Sequence, residues 1–186
     1  MPLNRKALVT RRLRLEPIDR SHADSLFKLF QEPSMHTFTE RTGPDDLVQF
    51  RRDCEFLESD KSPDGTKWWL NWVSFDQTSN TIVGKIELSI ELDTGEGYLA
   101  YYSFAGCEGQ GFASEASRMI ISNAFSNYNI HKIIIEIDLR NESSLRVANA
   151  IGARFVRIRP PEYTEDHDQK VFEFMEQDLP NLGEFI

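Results

Sequence analysis

The chain has 186 residues, 40% of them hydrophobic, and 30 acidic side chains against 21 basic ones give a formal net charge of −9. This length and apolar content fit one domain over residues 1–186 with an ordinary core, and they exclude a disordered chain. The acidity argues against nucleic acid and anionic membranes as partners, because affinity for phosphate needs dense Lys and Arg. Cys54 and Cys107 make no disulfide framework, and no segment approaches the ~18 apolar residues of a membrane span. A cytoplasmic protein is therefore expected.

Leu13 and Leu15 alternate with Arg12 and Arg14, which predicts a short strand with one wet face, ended by Pro17. Asp19 or Ser21 is placed to cap a helix through Leu26, Phe27, Leu29 and Phe30. Residues 31–43 read as irregular. Pro44, Asp45 and Asp46 then open a second helix, with Leu47, Phe50, Cys54 and Leu57 on one face. A turn at 62–65 follows, and the period changes to two. Strands are predicted over 68–75, 81–92 and 98–104, forming an antiparallel meander. Glycines follow at 106, 109 and 111, then a helix with Ala113, Ala116, Ile120 and Ala124 at helical spacing. Residues 132–137 are nearly continuously β-branched, as in a strand buried on both faces. A helix over 143–151 closes on Gly152. Strands over 155–158 and 171–175 flank an acidic connection at 160–169.

Two segments carry chemistry. The first is Gly109-Gln110-Gly111-Phe112-Ala113-Ser114-Glu115-Ala116 between a strand and a helix. Glycines there let the backbone approach a ligand. The first helical N–H groups lack internal partners and sit at the positive end of the helix dipole, so a pyrophosphate fits. The same residues also make a tight turn that binds nothing. No Gly-Lys-Ser/Thr follows, which excludes a P-loop, and the preceding meander counts against a Rossmann site. The second segment runs from Asn141 to Gly152, with Asn141 as an N-cap and Ser144 in the first turn.

In order, these motifs resemble the GCN5-related N-acetyltransferase superfamily, and more closely its branch that acetylates ribosomal-protein N-termini. The resemblance begins at Thr10-Arg11-Arg12-Leu13-Arg14-Leu15, continues through Ala100-Tyr101-Tyr102-Ser103-Phe104, and takes in the glycine segment, which is similar to the family's Gly-x-Gly-Tyr-Ala-Thr/Ser-Glu-Ala. It ends on Asn141, Ser144 and Val147 before Gly152. It implies an α+β fold with a mixed, splayed sheet of about seven strands and about four helices, and a bulge in the strand over 98–104.

The resemblance also implies acetyl-CoA as co-substrate, with no metal. Its pantetheine arm would run beside Ser103, Phe104 and Ala105. Its pyrophosphate would meet Gly106, Glu108, Gly109, Gln110, Gly111, Phe112 and Ala113. Asn141 would hydrogen-bond the arm, and Ser144 would stand near the thioester sulfur. There are departures. Gly106 replaces a long polar residue, Glu108 an aromatic one, and Ala153 a packing residue. Ala148 stands where many members carry a tyrosine acid, which leaves Ser144 as the candidate hydroxyl.

The reaction needs a base for the amine. The candidates are Glu87, Glu91, Glu96 and Glu162, of which Glu162 is preferred to Glu87. The four histidines show no metal-ligand spacing. The expected activity is acetyl transfer by direct attack in a ternary complex. The acceptor would be a protein N-terminal amine or a small cationic amine, and the enzyme a monomer or homodimer. A non-catalytic acyl-CoA-binding sensor or scaffold is the first alternative, and a nucleotide-binding enzyme the second.

Overall fold

A computed structural model describes residues 6–39, 43–161 and 167–182. The strands are β1 (Leu8–Val9), β2 (Leu13–Pro17), β3 (Lys67–Asp76), β4 (Ile82–Glu91), β5 (Glu96–Ser103), β6 (Lys132–Asp138), β7 (Arg154–Arg159) and β8 (Gln169–Met175). The α-helices are α1 (Ala23–Leu29), α2 (Leu47–Leu57), α3 (Phe112–Asn127) and α4 (Glu142–Ala150). Asp19 caps a 3-10 turn at Arg20–His22 that leads into α1. A second such turn, Pro33–His36, lies in the stretch expected to be irregular. Asp46 caps α2 by accepting from the N–H groups of Val48 and Gln49.

The sheet has eight strands in the order β1-β2-β3-β4-β5-β6-β8-β7. It is mixed, because β5 and β6 are parallel while the other neighbours are antiparallel. The strand count exceeds the expected seven by β1, whose two residues are too short to show a period. The order also places β8, not β7, against β6.

Helices cover both faces. On one, α3 and α4 bury Ala116, Ile120, Ala124, Ala148 and Ile151 against Ile86, Leu88, Leu99, Ile133, Ile135 and Phe172. On the other, Ala23 and Leu26 of α1 and Cys54 of α2 pack with Val73 and Phe104. The spacing of Ala116, Ile120 and Ala124, four residues apart, is what turns one stripe of α3 inward. Ile133, Ile135 and Ile137 face the first cluster, while Ile134 lies on the opposite face and is also buried.

The sheet splays at one seam. β4 and β5 pair in unbroken register from Gly84 opposite Ser103 to Ile90 opposite Gly97, so the bulge expected in that strand is not found. Close approach there depends on Gly84, where a Cβ would overlap the Tyr102 carbonyl oxygen. Between β5 and β6 the ladder covers only Glu96 to Tyr98 opposite Lys132 to Ile134. Beyond Tyr98 the two strands part and leave a wedge. Among the described residues, no helix is long and apolar enough to cross a membrane.

Candidate active site

The wedge becomes a cavity of about 500 Å³. Its walls come from β5 (Leu99 to Ser103), the turn into α3, the end of β6 and the first turns of α4. Ser34, Met35, Phe38 and Thr39 close it from the α1–α2 side.

The turn into α3 leaves the first amides of the helix without a side-chain cap. Gly106, Gly109 and Gly111 all have positive φ. Gly111, at φ 80, is the N-cap itself, and no side chain caps the helix. A side-chain cap would compete for the leading N–H groups, and glycine has none to offer. Gly109, Gly111, Phe112, Ala113 and Ser114 line the cavity at this point. The loop also holds itself shut. Glu108 accepts from the Gly106 N–H at 2.8 Å, and Gln110 Nε2 donates to the Gly106 carbonyl at 3.0 Å. The Glu108 carboxylate thus has a partner on its own loop.

Across the cavity, Asn141 caps α4. Its Oδ1 accepts from the Ser144 N–H at 3.0 Å and from the Ser143 hydroxyl at 2.8 Å. Its amide Nδ2 has no partner among the described residues. Neither has the Ser144 hydroxyl. Tyr101 spans the wedge and donates its hydroxyl to the Ser144 carbonyl at 2.8 Å. Burial holds that phenol well above its usual range.

Of the residues singled out from the sequence, Ser103, Glu108, Gly109, Gly111, Phe112, Ala113, Asn141 and Ser144 line this one cavity. Phe104, Ala105, Gly106 and Gln110 do not. Phe104 is 1% exposed. Its N–H donates to Val83, and its carbonyl accepts from Cys107. The carboxylates on the meander also stand elsewhere. Glu87 pairs with Lys85, Glu91 with Lys67 at 2.6 Å and Glu96 with Lys132 at 2.8 Å. The Lys132 hydrogen bond holds Glu96 below the usual carboxylate range. Glu162 lies outside the described residues.

The cavity brings its own carboxylates, Glu136 and Asp138 on β6. Arg159 donates to Glu136 at 3.0 Å. Arg140 donates to Asp138 through Nε at 3.0 Å and NH2 at 2.7 Å, which lowers the Asp138 carboxyl. Among the described residues, no group of three or more His, Cys, Asp or Glu could hold a metal ion.

Residues 12–154 match the family model described as an acetyltransferase (GNAT) domain. The chain belongs to the GNAT acetyltransferase family. It is an acetyl-CoA-dependent acetyltransferase. It is 24% identical over 148 residues to the uncharacterized N-acetyltransferase p20 of Bacillus licheniformis, covering 79% of this chain and 82% of that protein. Many solved structures share its fold. Mycobacterium smegmatis RimJ, in complex with CoA-disulfide, superposes with a TM-score of 0.81 at 16% identity, covering 95% of this chain and 90% of that one. RimL, a ribosomal L7/L12 alpha-N-protein acetyltransferase, superposes with a TM-score of 0.75 at 19% identity, covering 91% and 94%.

Sequence reasoning missed Tyr101, Glu136 and Asp138 as walls of this acetyltransferase's cavity. Tyr101 had a signal, since it alternates in phase with buried Leu99. Glu136 had a weaker one, as the single charge inside an apolar run. Residues 34–39 belong to the irregular stretch 31–43, which together with 160–169 is where the sequence leads one to expect acceptor contacts, and Ser34, Met35, Phe38 and Thr39 line the cavity.

Proposed function

We propose that this enzyme acetylates the α-amine of a protein by direct attack within a ternary complex. The observation that carries this is the uncapped start of α3. It opens into a cavity at the seam where β5 and β6 part, opposite Asn141 and Ser144. The protein acceptor is supported by the likeness to RimL, whose name records a protein N-terminus as substrate.

The residues present fit acetyl-CoA. Leading amides of α3 and the glycine turn would hold its diphosphate. The β5 edge near Ser103 and the Asn141 amide would hold its arm. When bound, acetyl-CoA supplies the acetyl group as a thioester. Ser144 would donate a proton to the departing sulfur, since no group among the described residues takes its hydroxyl. A carboxylate must take the proton of the amine. Glu162 is the residue proposed from the sequence, and Glu136 is the carboxylate of the cavity wall that takes a single hydrogen bond from its basic partner, Arg159, where Asp138 takes two from Arg140. Asp138 is a poor proton acceptor, since Arg140 already occupies it. Phe38 and Met35 give the acceptor end an apolar rim.

The test is release of free thiol from acetyl-CoA across a panel of N-terminal peptides and small amines. Turnover on peptides supports the reading. Turnover confined to small cationic amines replaces the acceptor, and CoA binding without any turnover removes the activity proposed. Comparing Glu162→Gln with Glu136→Gln then assigns the base. The variant that loses its rate most steeply toward low pH, where neutral amine is scarce, carries it.

A further inference from the structure

The opening motif of the chain has no part in the transfer just described, yet it reaches the cofactor loop. Glu115, in the first turn of α3, is 7% exposed. Its Oε1 accepts from the Thr10 hydroxyl at 2.6 Å and from the Arg12 backbone N–H at 2.8 Å. Its Oε2 accepts from Arg12 Nε at 2.6 Å. The same guanidinium then turns onto the glycine loop. One amino group donates to the Gln110 carbonyl at 2.9 Å, and the guanidinium Cζ lies over the Phe112 ring, 4.8 Å from the ring centre. A Cβ built on Gly111 would stand 3.4 Å from Arg12 Nη2. One side chain therefore touches Gln110, Phe112 and Glu115 and borders Gly111, the part of the turn that runs directly into α3.

Such a turn needs an outside hold. Glycines lose the most conformational freedom on ordering. Amides bind an anion well only when they already point the same way. Glu115 is kept charged for the purpose. Burial works to raise its carboxyl, but the hydrogen bonds from Thr10 and Arg12 and the Arg12 charge outweigh that and hold it below the usual carboxylate range. Arg12 keeps 42% of its side-chain surface exposed, so its outer edge remains a cation beside the loop.

We infer that Arg12 is a positioning residue for the diphosphate of the cofactor. Through Glu115 and Gln110 it fixes the 109–113 turn with the leading amides of α3 facing the cavity, and its open edge adds positive charge there. A tie between the β1–β2 connection and α3 that served stability alone would not discriminate between ligands. This inference rests on the acetyl-CoA reading of the cavity and adds a residue to it.

The test compares two ligands by NMR titration. One is CoA, and the other is pantetheine, which lacks the diphosphate and nucleotide. Arg12→Gln is expected to weaken CoA ~10-fold or more, the loss of one charge-assisted contact, with pantetheine affinity unchanged. Arg12→Lys guards against misfolding. It leaves buried Glu115 a cation, the Thr10 hydroxyl and the backbone N–H, and should weaken CoA alone by a smaller factor. Equal weakening of both ligands, or parent affinity for CoA in both variants, overturns the inference while leaving the cofactor reading intact. A parent that binds no CoA overturns that reading, and the inference with it.

Discussion

Ser144 and Tyr101 meet in the cavity by different atoms, and this separates their expected roles. The Ser144 hydroxyl has no partner among the described residues, so removing it takes no fold-holding bond away. Ser144→Ala should therefore melt with the parent. Its turnover should fall ~10²-fold if it protonates the departing sulfur. Tyr101 instead uses its hydroxyl on the Ser144 carbonyl. Tyr101→Phe should cost about 1 kcal/mol of stability, the net worth of one hydrogen bond, and leave turnover within a factor of a few. Thermal melting and steady-state rates on one acceptor check both. A Tyr101→Phe enzyme slowed ~10²-fold beside a Ser144→Ala enzyme at the parent rate would make the phenol, not the serine, the proton donor.

At the scale of elements, α4 carries a residue whose cap is observed and whose second duty, toward the cofactor, is proposed. Asn141 Oδ1 caps the helix, and the residue lines the cavity with its Nδ2 unpartnered among the described residues. Asn141→Ala should remove both, at ~1 kcal/mol for the cap and with a fall in kcat/KM for acetyl-CoA. Asn141→Asp keeps the capping acceptor and loses only the amide donor, so it should melt near the parent and still lose kcat/KM. If the aspartate variant turns over normally, Asn141 is a cap and nothing more. The sequence made α4, its cap and its closing Gly152 legible, because capping and period are local signals. It made β3 to β6 legible for the same reason. It could not order β7 and β8, since two neighbouring strands of similar pattern pair with each other whichever of them lies next to β6. The Arg12–Glu115 pair was also out of reach, being 103 positions apart with no local trace. The bulge in β5 was a property of the resemblance and not of these residues, and the unbroken β4–β5 register replaces it.

Across the whole molecule, an excess of acid is fastened down by hydrogen bonds, and this sets its response to pH. Lys132 holds the Glu96 carboxyl low, and Arg140 does the same for Asp138. At Glu16, Asp19 and Glu115, burial acts to raise the carboxyl but is outweighed by hydrogen bonds, from Arg14 and His22, from Ser21, and from Thr10 and Arg12. A carboxyl lower in the folded chain than in the unfolded one binds its proton later on acidification. Its stabilisation is thus complete above the unfolded carboxyl range of about 4 and is lost as pH falls through the lower native value. Urea unfolding should accordingly give a near-constant free energy from pH 7 to about 5 and a steep decline below about 4. Glu115→Gln removes one of these protons. Its free energy should be lower at pH 7, where Arg12 has lost its charged partner, and its acid decline should be shallower by up to ~1.4 kcal/mol per pH unit. The two curves should therefore converge as the pH falls. Curves that stay parallel to pH 3 would mean that Glu115 titrates alike in both states, and the clamp on the cofactor turn would then be held by Arg12 and Gln110 without it.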